Sequence, residues 1–184
     1  MDKITIAVIL GTKRDGRMSE HAAKLVANVG ETFEEAEIIF VDPLDFDLPK
    51  DGVVKDSEYA EITKKADAFF IVTPEYNHGY PGSLKRLLDS QYPTYNYKPV
   101  AFAGVSKGPW GGTRVIEALI PVTKTMKMIP INPDVNFTMI NETFDNQGNI
   151  LQKEDEYRNK IRTTYKELIW MAKVLKTGMK NVGK

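Results

Sequence analysis

Five short runs of apolar residues recur along the chain, each bounded by glycine, proline or polar residues. Within the first four runs the apolar positions are nearly continuous rather than alternating, a pattern typical of strands that are buried on both faces, whereas the fifth run is weaker. The runs predict strands over residues 4–10, 38–41, 68–72, 100–105 and 128–135. Pro130 and Pro133 favour an edge position for the last strand, because proline cannot donate a backbone hydrogen bond to a neighbouring strand.

Between and after these runs the apolar positions recur every three or four residues, which is the spacing of an amphipathic helix. The first helix is expected to begin with Ser19 as its N-cap and to end at Gly30. Later helices are expected over residues 57–65, from Pro81 onward, over 115–126 and over 157–175. Pro121 predicts a kink or an early break in the fourth helix. Residues 43–55 are expected to form a loop, and residues 145–148 a turn.

This alternation of strands and helices predicts the fold class. Apolar strands separated by helices indicate an α/β protein in which a parallel sheet is covered by helices on both faces. Five such strands fit the doubly wound order 2-1-3-4-5, and we expect residues 1–184 to form a single domain. In this topology ligands bind beyond the carboxyl ends of the strands, at the point where the strand order reverses. That rule selects the loops at residues 11–19, 73–81 and 106–112 as the candidate site.

Composition narrows the possible chemistry. Lys and Arg together number 25, as do Asp and Glu, so the formal net charge is zero. This balance argues against nucleic-acid or anionic-membrane binding driven by overall charge. The sequence contains no cysteine, which excludes disulfides, thiolate metal sites and thiol nucleophiles. Since His21 and His78 are its two histidines, no metal site is expected.

The sequence also bears on location. No apolar run approaches the roughly 18 residues that a membrane span requires. The N-terminal segment lacks the cationic start and long apolar core of a secretion signal. We therefore expect a cytoplasmic protein with no membrane partner.

The first candidate loop, residues 11–19, leads into the first helix and is rich in cations and hydroxyl groups. Backbone N–H groups and the helix dipole make such a position an anion site. The loop nearly matches the nucleotide-binding pattern G-x-x-x-x-G-K-[ST], but Arg17 and Met18 stand where the lysine and the magnesium-binding hydroxyl would be. A nucleotide hydrolase is therefore excluded. A phosphate site and a basic surface turn without a ligand both fit this loop.

The other two candidate loops combine rigid backbone with aromatic side chains. Residues 73–82 carry two tyrosines and an asparagine among four Pro and Gly residues. Such a loop can present fixed amides and flat apolar faces to a planar heteroaromatic ring, or can serve as a rigid connection alone. In residues 106–112, three glycines would allow the backbone to approach a ligand closely. Trp110 in the same loop would either stack on a ring or anchor an interface.

Three motifs occupy these loops. Residues 74–77 read P-E-Y-N, and residues 106–114 read S-x-G-x-x-G-G-x-R. Residues 11–19 are similar to a G-S-x-R-x-x-S phosphate loop, with two additional residues before the serine. Together these motifs resemble the NADPH-dependent FMN reductase family, a flavodoxin-like group that includes FMN-dependent azoreductases and quinone reductases. The resemblance covers residues 3–126, and no motif follows residue 128.

This resemblance implies a flavodoxin-like fold and an FMN-dependent NAD(P)H oxidoreductase. Electrons would pass by ping-pong hydride transfer from NADPH or NADH through FMN to a small acceptor, such as a quinone, azo compound, flavin or metal oxyanion. Because FMN takes the hydride at N5, no side chain is expected to act as a general acid or base. The implied cofactor-binding residues are Gly11, Thr12, Arg14, Arg17 and Ser19 around the phosphate, Pro74, Glu75, Tyr76 and Asn77 along the ring and ribityl chain, and Ser106, Gly108 and Gly111 at the pyrimidine end.

Two other functions compete with a reductase. Flavodoxin-type electron carriers, which lack their own NAD(P)H reductase activity, have a T-x-T-G-x-T phosphate loop and a strongly acidic surface, whereas this loop is cationic and the net charge is zero. A binding or assembly module could keep FMN for stability alone. Aromatic residues on or near the loops, at Tyr80, Trp110 and residues 92–95, predict self-association as a homodimer or homotetramer.

Overall fold

A parallel β-sheet lies at the centre of the computed structural model, which describes residues 3–47 and 56–182. The strands are β1 (Ile4–Leu10), β2 (Ala36–Val41), β3 (Ala68–Pro74), β4 (Pro99–Val105), β5 (Ile129–Pro130) and β6 (Val135–Phe137). Their order is β2-β1-β3-β4-β5, with β6 also paired to β4, and these pairs are parallel. The predicted order 2-1-3-4-5 is therefore confirmed. The loop predicted over residues 43–55 lies partly outside the described residues.

Two short strands fill the fifth position of the sheet instead of the single strand predicted there. Ile129 lies opposite Pro99 and Val135 lies opposite Ala103, so the outer chain uses more residues than β4 over the same length. Pro130 ends β5 and Pro133 lies between β5 and β6, and neither has a backbone N–H that could donate a hydrogen bond to a continuous strand. The sixth strand is thus a continuation of the fifth after an interruption, at the edge of the described sheet.

Six helices pack on the sheet within the described residues. They are α1 (Ser19–Gly30), α2 (Ser57–Lys65), α3 (Gly82–Asp89), α4 (Thr113–Thr125), α5 (Ile140–Thr143) and α6 (Glu154–Val182). Helices α1 and α6 cover one face, while α2, α3 and α4 cover the other, each group through its own apolar cluster. The short helix α5 has no counterpart in the prediction. Across residues 3–47 and 56–182, no helix is long and apolar enough to cross a membrane.

Helix α4 continues through Pro121 to Thr125, so the predicted early break does not occur. Proline at this position removes the hydrogen bond that would reach the carbonyl of Glu117. Both residues are exposed, and water can therefore satisfy that carbonyl. Val115 and Leu119 are fully buried on the opposite side of the helix. Packing of this apolar stripe holds the helix together despite the missing bond.

Three buried tyrosines anchor the two apolar clusters. The hydroxyl groups of Tyr59 and Tyr95 hydrogen-bond each other at 2.7 Å on the α2 side of the sheet. On the other side, the hydroxyl of Tyr165 donates to the carbonyl of Val26 at 3.1 Å. Each hydroxyl thus has the partner that a buried polar group requires. Tyr95 is fully buried, so it is not one of the exposed aromatic residues that the sequence suggested.

Candidate functional site

The carboxyl ends of β1, β3 and β4 border an open cleft of about 900 Å³, at the edge of the sheet where a doubly wound fold binds its ligands. All three loops selected from the sequence contribute to it, and a fourth wall comes from α5 and the turn that follows. The lining residues are Arg14, Asp15, Gly16, Arg17, Met18, Ser19, Pro74, Glu75, Tyr76, Val105, Ser106, Lys107, Ile140, Asn141, Phe144, Asp145, Asn146, Gln147 and Leu151. No cluster of three or more acidic or histidine side chains that could hold a metal ion occurs in the described part of the chain.

One end of the cleft combines a helix terminus with a buried hydroxyl. Met18, rather than the predicted Ser19, occupies the N-cap of α1, and Ser19 is the first helical residue. Ser19 lines the cleft, yet its Oγ is buried and has no hydrogen-bond partner. Arg14 is exposed on the same loop, with its guanidinium carbon 5.9 Å from the ring centroid of Tyr76. The positive end of the helix dipole, a hydroxyl donor and a cation together suit a phosphate.

Arg17, in contrast, is engaged inside the protein, and only 7% of its side chain is exposed. Its Nη1 donates to the carbonyl of Thr12 at 2.9 Å. Its Nε donates to the carboxylate of Glu20 at 3.3 Å, and its Nη2 donates to the carboxylate of Asp42. The guanidinium therefore has acceptors on three sides, and it pairs with two carboxylates, of which Glu20 is shared with Lys24.

The P-E-Y-N motif forms a tight turn between β3 and α3. Tyr76 and Gly79 exchange two backbone hydrogen bonds of 2.9 Å. Between them, Asn77 and His78 have φ values of 48° and 65°, the left-handed conformation of the central residues of a type I′ turn. Asparagine adopts this conformation more readily than most residues. The exposed Asn77 side chain lies outside the cleft lining, so in this structure the asparagine of the motif shapes the loop.

Tyr76 joins this turn to the first loop. Its hydroxyl and Thr12 Oγ1 lie 3.0 Å apart, and Thr12 Oγ1 also accepts the backbone N–H of Arg14 at 3.3 Å. Thr12 is buried and does not line the cleft. The threonine therefore connects two of the loops that the sequence placed around a ligand.

Glu75 brings a carboxylate to the other end of the cleft, with 11% of its side chain exposed. Its backbone N–H donates to the carbonyl of Val105 at 3.0 Å, which fixes this residue against β4. Its Oε1 lies 3.8 Å from Nη1 of Arg114, while its Oε2 is buried without a partner. This oxygen is available to a hydrogen-bond donor on a ligand.

Packing within the protein explains two of the glycines that were predicted to contact a cofactor. At Gly11, an added Cβ would lie 2.5 Å from Cβ of Thr73, so only glycine lets the ends of β1 and β3 approach this closely. At Gly111, φ is +57° and an added Cβ would lie 2.7 Å from Cβ of Asn136. The lack of a side chain is thus required at both positions for strand and loop packing.

Seven of the twelve predicted cofactor-binding residues line the cleft: Arg14, Arg17, Ser19, Pro74, Glu75, Tyr76 and Ser106. Five lie outside its lining: Gly11, Thr12, Asn77, Gly108 and Gly111. The carbonyl of Gly108 accepts from Ser106 Oγ at 2.9 Å and from the Met139 N–H at 3.1 Å, which ties the third loop to the start of α5. Which of the twelve residues contact a cofactor stays a prediction.

Sequence reasoning missed the fourth wall of the cleft, residues 140–151. A bridge between Phe144 and Ile150 closes this segment into a short hairpin that contains the predicted turn. The carboxylate of Asp145 accepts two backbone N–H groups of the turn at 2.8 and 2.9 Å. Leu151 is exposed and gives the wall an apolar end. The turn residues were the one signal in the sequence, and they do not indicate that the turn reaches the site.

Trp110 lies on the third loop but outside the cleft lining. Its side chain is 65% exposed, and the guanidinium carbon of Arg114 lies 5.8 Å from its ring centroid. The residue is therefore not part of the core, and its ring is accessible to a second molecule.

Comparison with known proteins identifies the family. The model of the NADPH-dependent FMN reductase family matches residues 4–142. An NAD(P)H-dependent FMN reductase of Pseudomonas aeruginosa is 28% identical over 183 residues, covering 94% of this chain and 98% of that protein. A quinone reductase of Escherichia coli is 31% identical over 126 residues, covering 61% of this chain and 65% of that protein.

Among solved structures, FerB, a flavoenzyme NAD(P)H:(acceptor) oxidoreductase from Paracoccus denitrificans, shares the fold. Its TM-score is 0.73 at 20% sequence identity, over 90% of this chain and 97% of that chain. A flavodoxin from Pseudomonas aeruginosa also has this fold, with a TM-score of 0.63 at 14% identity, over 90% of this chain and 99% of that chain. The flavodoxin-like fold and the resemblance carried by the three loop motifs are thus confirmed: the chain belongs to the NADPH-dependent FMN reductase family.

Proposed function

We propose that this chain is an FMN-dependent NAD(P)H oxidoreductase that passes electrons from NADPH or NADH to a small acceptor such as a quinone. The observation that carries the proposal is a pair of unpartnered polar atoms in the cleft. Of three such buried side-chain atoms among the described residues, two belong to cleft residues, Ser19 Oγ and Glu75 Oε2. Buried polar groups are rarely left unsatisfied. A ligand with an anionic group and separate hydrogen-bond donors would satisfy both atoms.

The residues of the cleft fit FMN. The N-terminus of α1, with Ser19 and Arg14, would hold the phosphate. Glu75 and Tyr76 would lie along the ring and ribityl chain, and Leu151 on the opposite wall would limit access of water. Bound FMN supplies the redox chemistry, accepting hydride at N5 and passing the electrons on. The volume of about 900 Å³ lies within the range of small-molecule sites.

A flavodoxin-type electron carrier would share the fold and the cofactor. Membership of the reductase family favours the enzyme, as do curated relatives that are named FMN reductase and quinone reductase. The zero net charge also differs from the strongly acidic surface expected of such a carrier.

The enzyme acts as a homodimer or homotetramer in the cytoplasm under this proposal. Support for self-association comes from apolar side chains around α3 and α4, which cover the same face of the sheet. Tyr92 follows α3 and is 47% exposed, Trp110 precedes α4, and Ile120 is exposed on α4 itself. Exposed apolar groups on one side of a protein are typical of an interface.

Steady-state turnover tests the proposed function. FMN-loaded protein is supplied with NADPH or NADH and a benzoquinone, and nucleotide oxidation is followed against a control with free FMN at the same concentration. Sustained oxidation well above the control is expected. Rapid one-electron exchange with a redox partner, without sustained oxidation, would instead indicate a carrier. If neither activity is observed, the result would instead indicate a module that binds FMN for stability alone.

A further inference from the structure

We infer that Arg17 is a positioning residue, which holds the loops around the cleft in their arrangement and does not itself bind the FMN phosphate. This inference rests on the proposed function, since it concerns how the same cleft takes its flavin. It departs from the interpretation of the sequence, in which the cationic side chains of the first loop had the same role.

The contacts of Arg17 leave little of its charge for a ligand. Each of the three guanidinium nitrogens donates inside the protein, to the Thr12 carbonyl and to the carboxylates of Glu20 and Asp42. A hydrogen bond from Lys24, together with that from Arg17, holds the pKa of Glu20 below its usual value, so this carboxylate is ionised at neutral pH. A buried cation that is paired with Asp42 and shares Glu20 with Lys24 attracts a phosphate less strongly than an unpaired cation does.

The same contacts connect three loops at the carboxyl edge of the sheet. Asp42 follows β2, Thr12 follows β1, and Tyr76 follows β3. Arg17 bonds to the first two, and Thr12 Oγ1 lies 3.0 Å from the hydroxyl of Tyr76. Loss of Arg17 would therefore disturb both the phosphate end and the ring end of the cleft.

Arg14 differs from Arg17 in each of these respects. It is exposed, and its guanidinium has no hydrogen bond or ion pair with any residue in 3–47 or 56–182, apart from its approach to the Tyr76 ring. Its charge is available to a ligand. Arg14 is thus expected to bind the phosphate directly, whereas Arg17 is expected to act only by holding the loops in place.

Riboflavin, which lacks the phosphate, separates the two roles. Dissociation constants of FMN and riboflavin are measured by flavin fluorescence on protein freed of cofactor, well below the melting temperature. Arg14→Gln should weaken the binding of FMN about 10- to 150-fold, which is the effect of losing one charge-assisted contact, and should leave the binding of riboflavin nearly unchanged. Arg17→Gln should weaken the binding of both flavins by the same factor, so the ratio of the FMN and riboflavin dissociation constants should stay that of wild type. Loss of FMN affinity alone in Arg17→Gln would overturn the inference.

Asp42→Asn gives a second test that leaves every cation of the loop in place. A direct phosphate role for Arg17 predicts tighter FMN binding in this variant, because a competing negative charge is removed. A positioning role predicts weaker binding of both flavins, because asparagine carries no charge and offers one acceptor oxygen where the Arg17 guanidinium and the Leu44 N–H now use two, so the contact to the end of β2 is weakened. Arg17→Lys should not restore wild-type affinity, since an ammonium cannot reach three separated acceptors as the planar fork does.

These outcomes distinguish the inference from the proposed function. If wild-type protein binds neither flavin, the proposed function fails and the inference fails with it. If wild-type protein binds FMN, and Asp42→Asn binds it as tightly or more tightly, only the positioning role of Arg17 is wrong.

Discussion

Replacing Ser19 with alanine should change stability and FMN affinity in opposite directions. Ser19 Oγ is buried at the start of α1 without a hydrogen-bond partner. An unsatisfied buried hydroxyl costs about 1–3 kcal/mol, and the low end of this range applies here because the residue borders an open cleft. Ser19→Ala should therefore stabilise the cofactor-free protein by about 1 kcal/mol, which corresponds to an increase in Tm of roughly 2–4 °C.

The same substitution should weaken FMN binding, because the hydroxyl is expected to donate to the phosphate. One charge-assisted hydrogen bond contributes about 1.5–3 kcal/mol, equivalent to roughly 10- to 150-fold in the dissociation constant. Thermal unfolding of cofactor-free protein and fluorescence titration with FMN measure the two effects separately. Riboflavin affinity should change little, since the contact is made to the phosphate.

Ser90→Ala is a matched control. Ser90 is also buried, but its Oγ donates to the carbonyl of Leu87 at 2.7 Å. The control variant should lose about 1 kcal/mol of stability and keep its FMN affinity. If Ser19→Ala instead destabilised the cofactor-free protein and bound FMN like wild type, Ser19 would be a structural residue and the phosphate would lie elsewhere.

Buried titratable groups and one exposed tryptophan give three further tests. Burial raises the pKa of Tyr59, Tyr95 and Tyr165, so above about pH 10 the unfolded chain loses protons that the folded protein keeps. The free energy of unfolding should fall there, and tyrosinate absorbance should show three rings that ionise only on unfolding. Burial lowers the pKa of Lys98 to about 8, so between about pH 8 and 10 the unfolded state binds more protons. When urea unfolding is measured across that window, the free energy of unfolding of wild type should rise with pH relative to that of Lys98→Met. The same dependence on pH in both proteins would contradict this. Trp110→Ala should raise the KM for a quinone, because the exposed ring is expected to stack on the acceptor. FMN affinity should stay within about threefold, since the ring lies outside the cleft lining. A large loss of FMN affinity would instead place Trp110 against the cofactor.

The apolar pattern predicted the parts of the fold that burial alone determines. Strand β1 and helix α2 have their predicted bounds, because a strand covered on both faces and a helix with one apolar stripe leave few alternatives. The fifth strand differs from the prediction because its prolines limit which N–H groups can pair, and a hydrophobic pattern does not report this. Helix α5 has four residues, too few to show a helical period. At Pro121, packing of the buried stripe outweighs a local helix-breaking signal.

The place of the cleft was predictable, because the topology selects the loops that follow β1, β3 and β4, and Pro74, Glu75 and Tyr76 of the P-E-Y-N motif line it. Arg17 shows the limit, because its residue type suggests a phosphate ligand while its partner Asp42 follows a different strand. Tyr95 shows the same limit, since it stands in a polar segment while the hydrogen-bond partner of its buried hydroxyl, Tyr59, lies in helix α2. The fourth wall reaches the cleft because β6 pairs with β4, which the sequence of the wall itself does not indicate.

The most direct measurement of the central claim is anaerobic rapid mixing of the FMN-loaded protein with NADPH and, in parallel, with NADH. The visible flavin absorbance reports whether electrons reach the cofactor in the cleft. We predict bleaching by at least one nucleotide, faster than for free FMN, and recovery of the absorbance when a quinone is added. Tight FMN binding with no bleaching by either nucleotide would contradict the assignment of this protein as an NAD(P)H oxidoreductase.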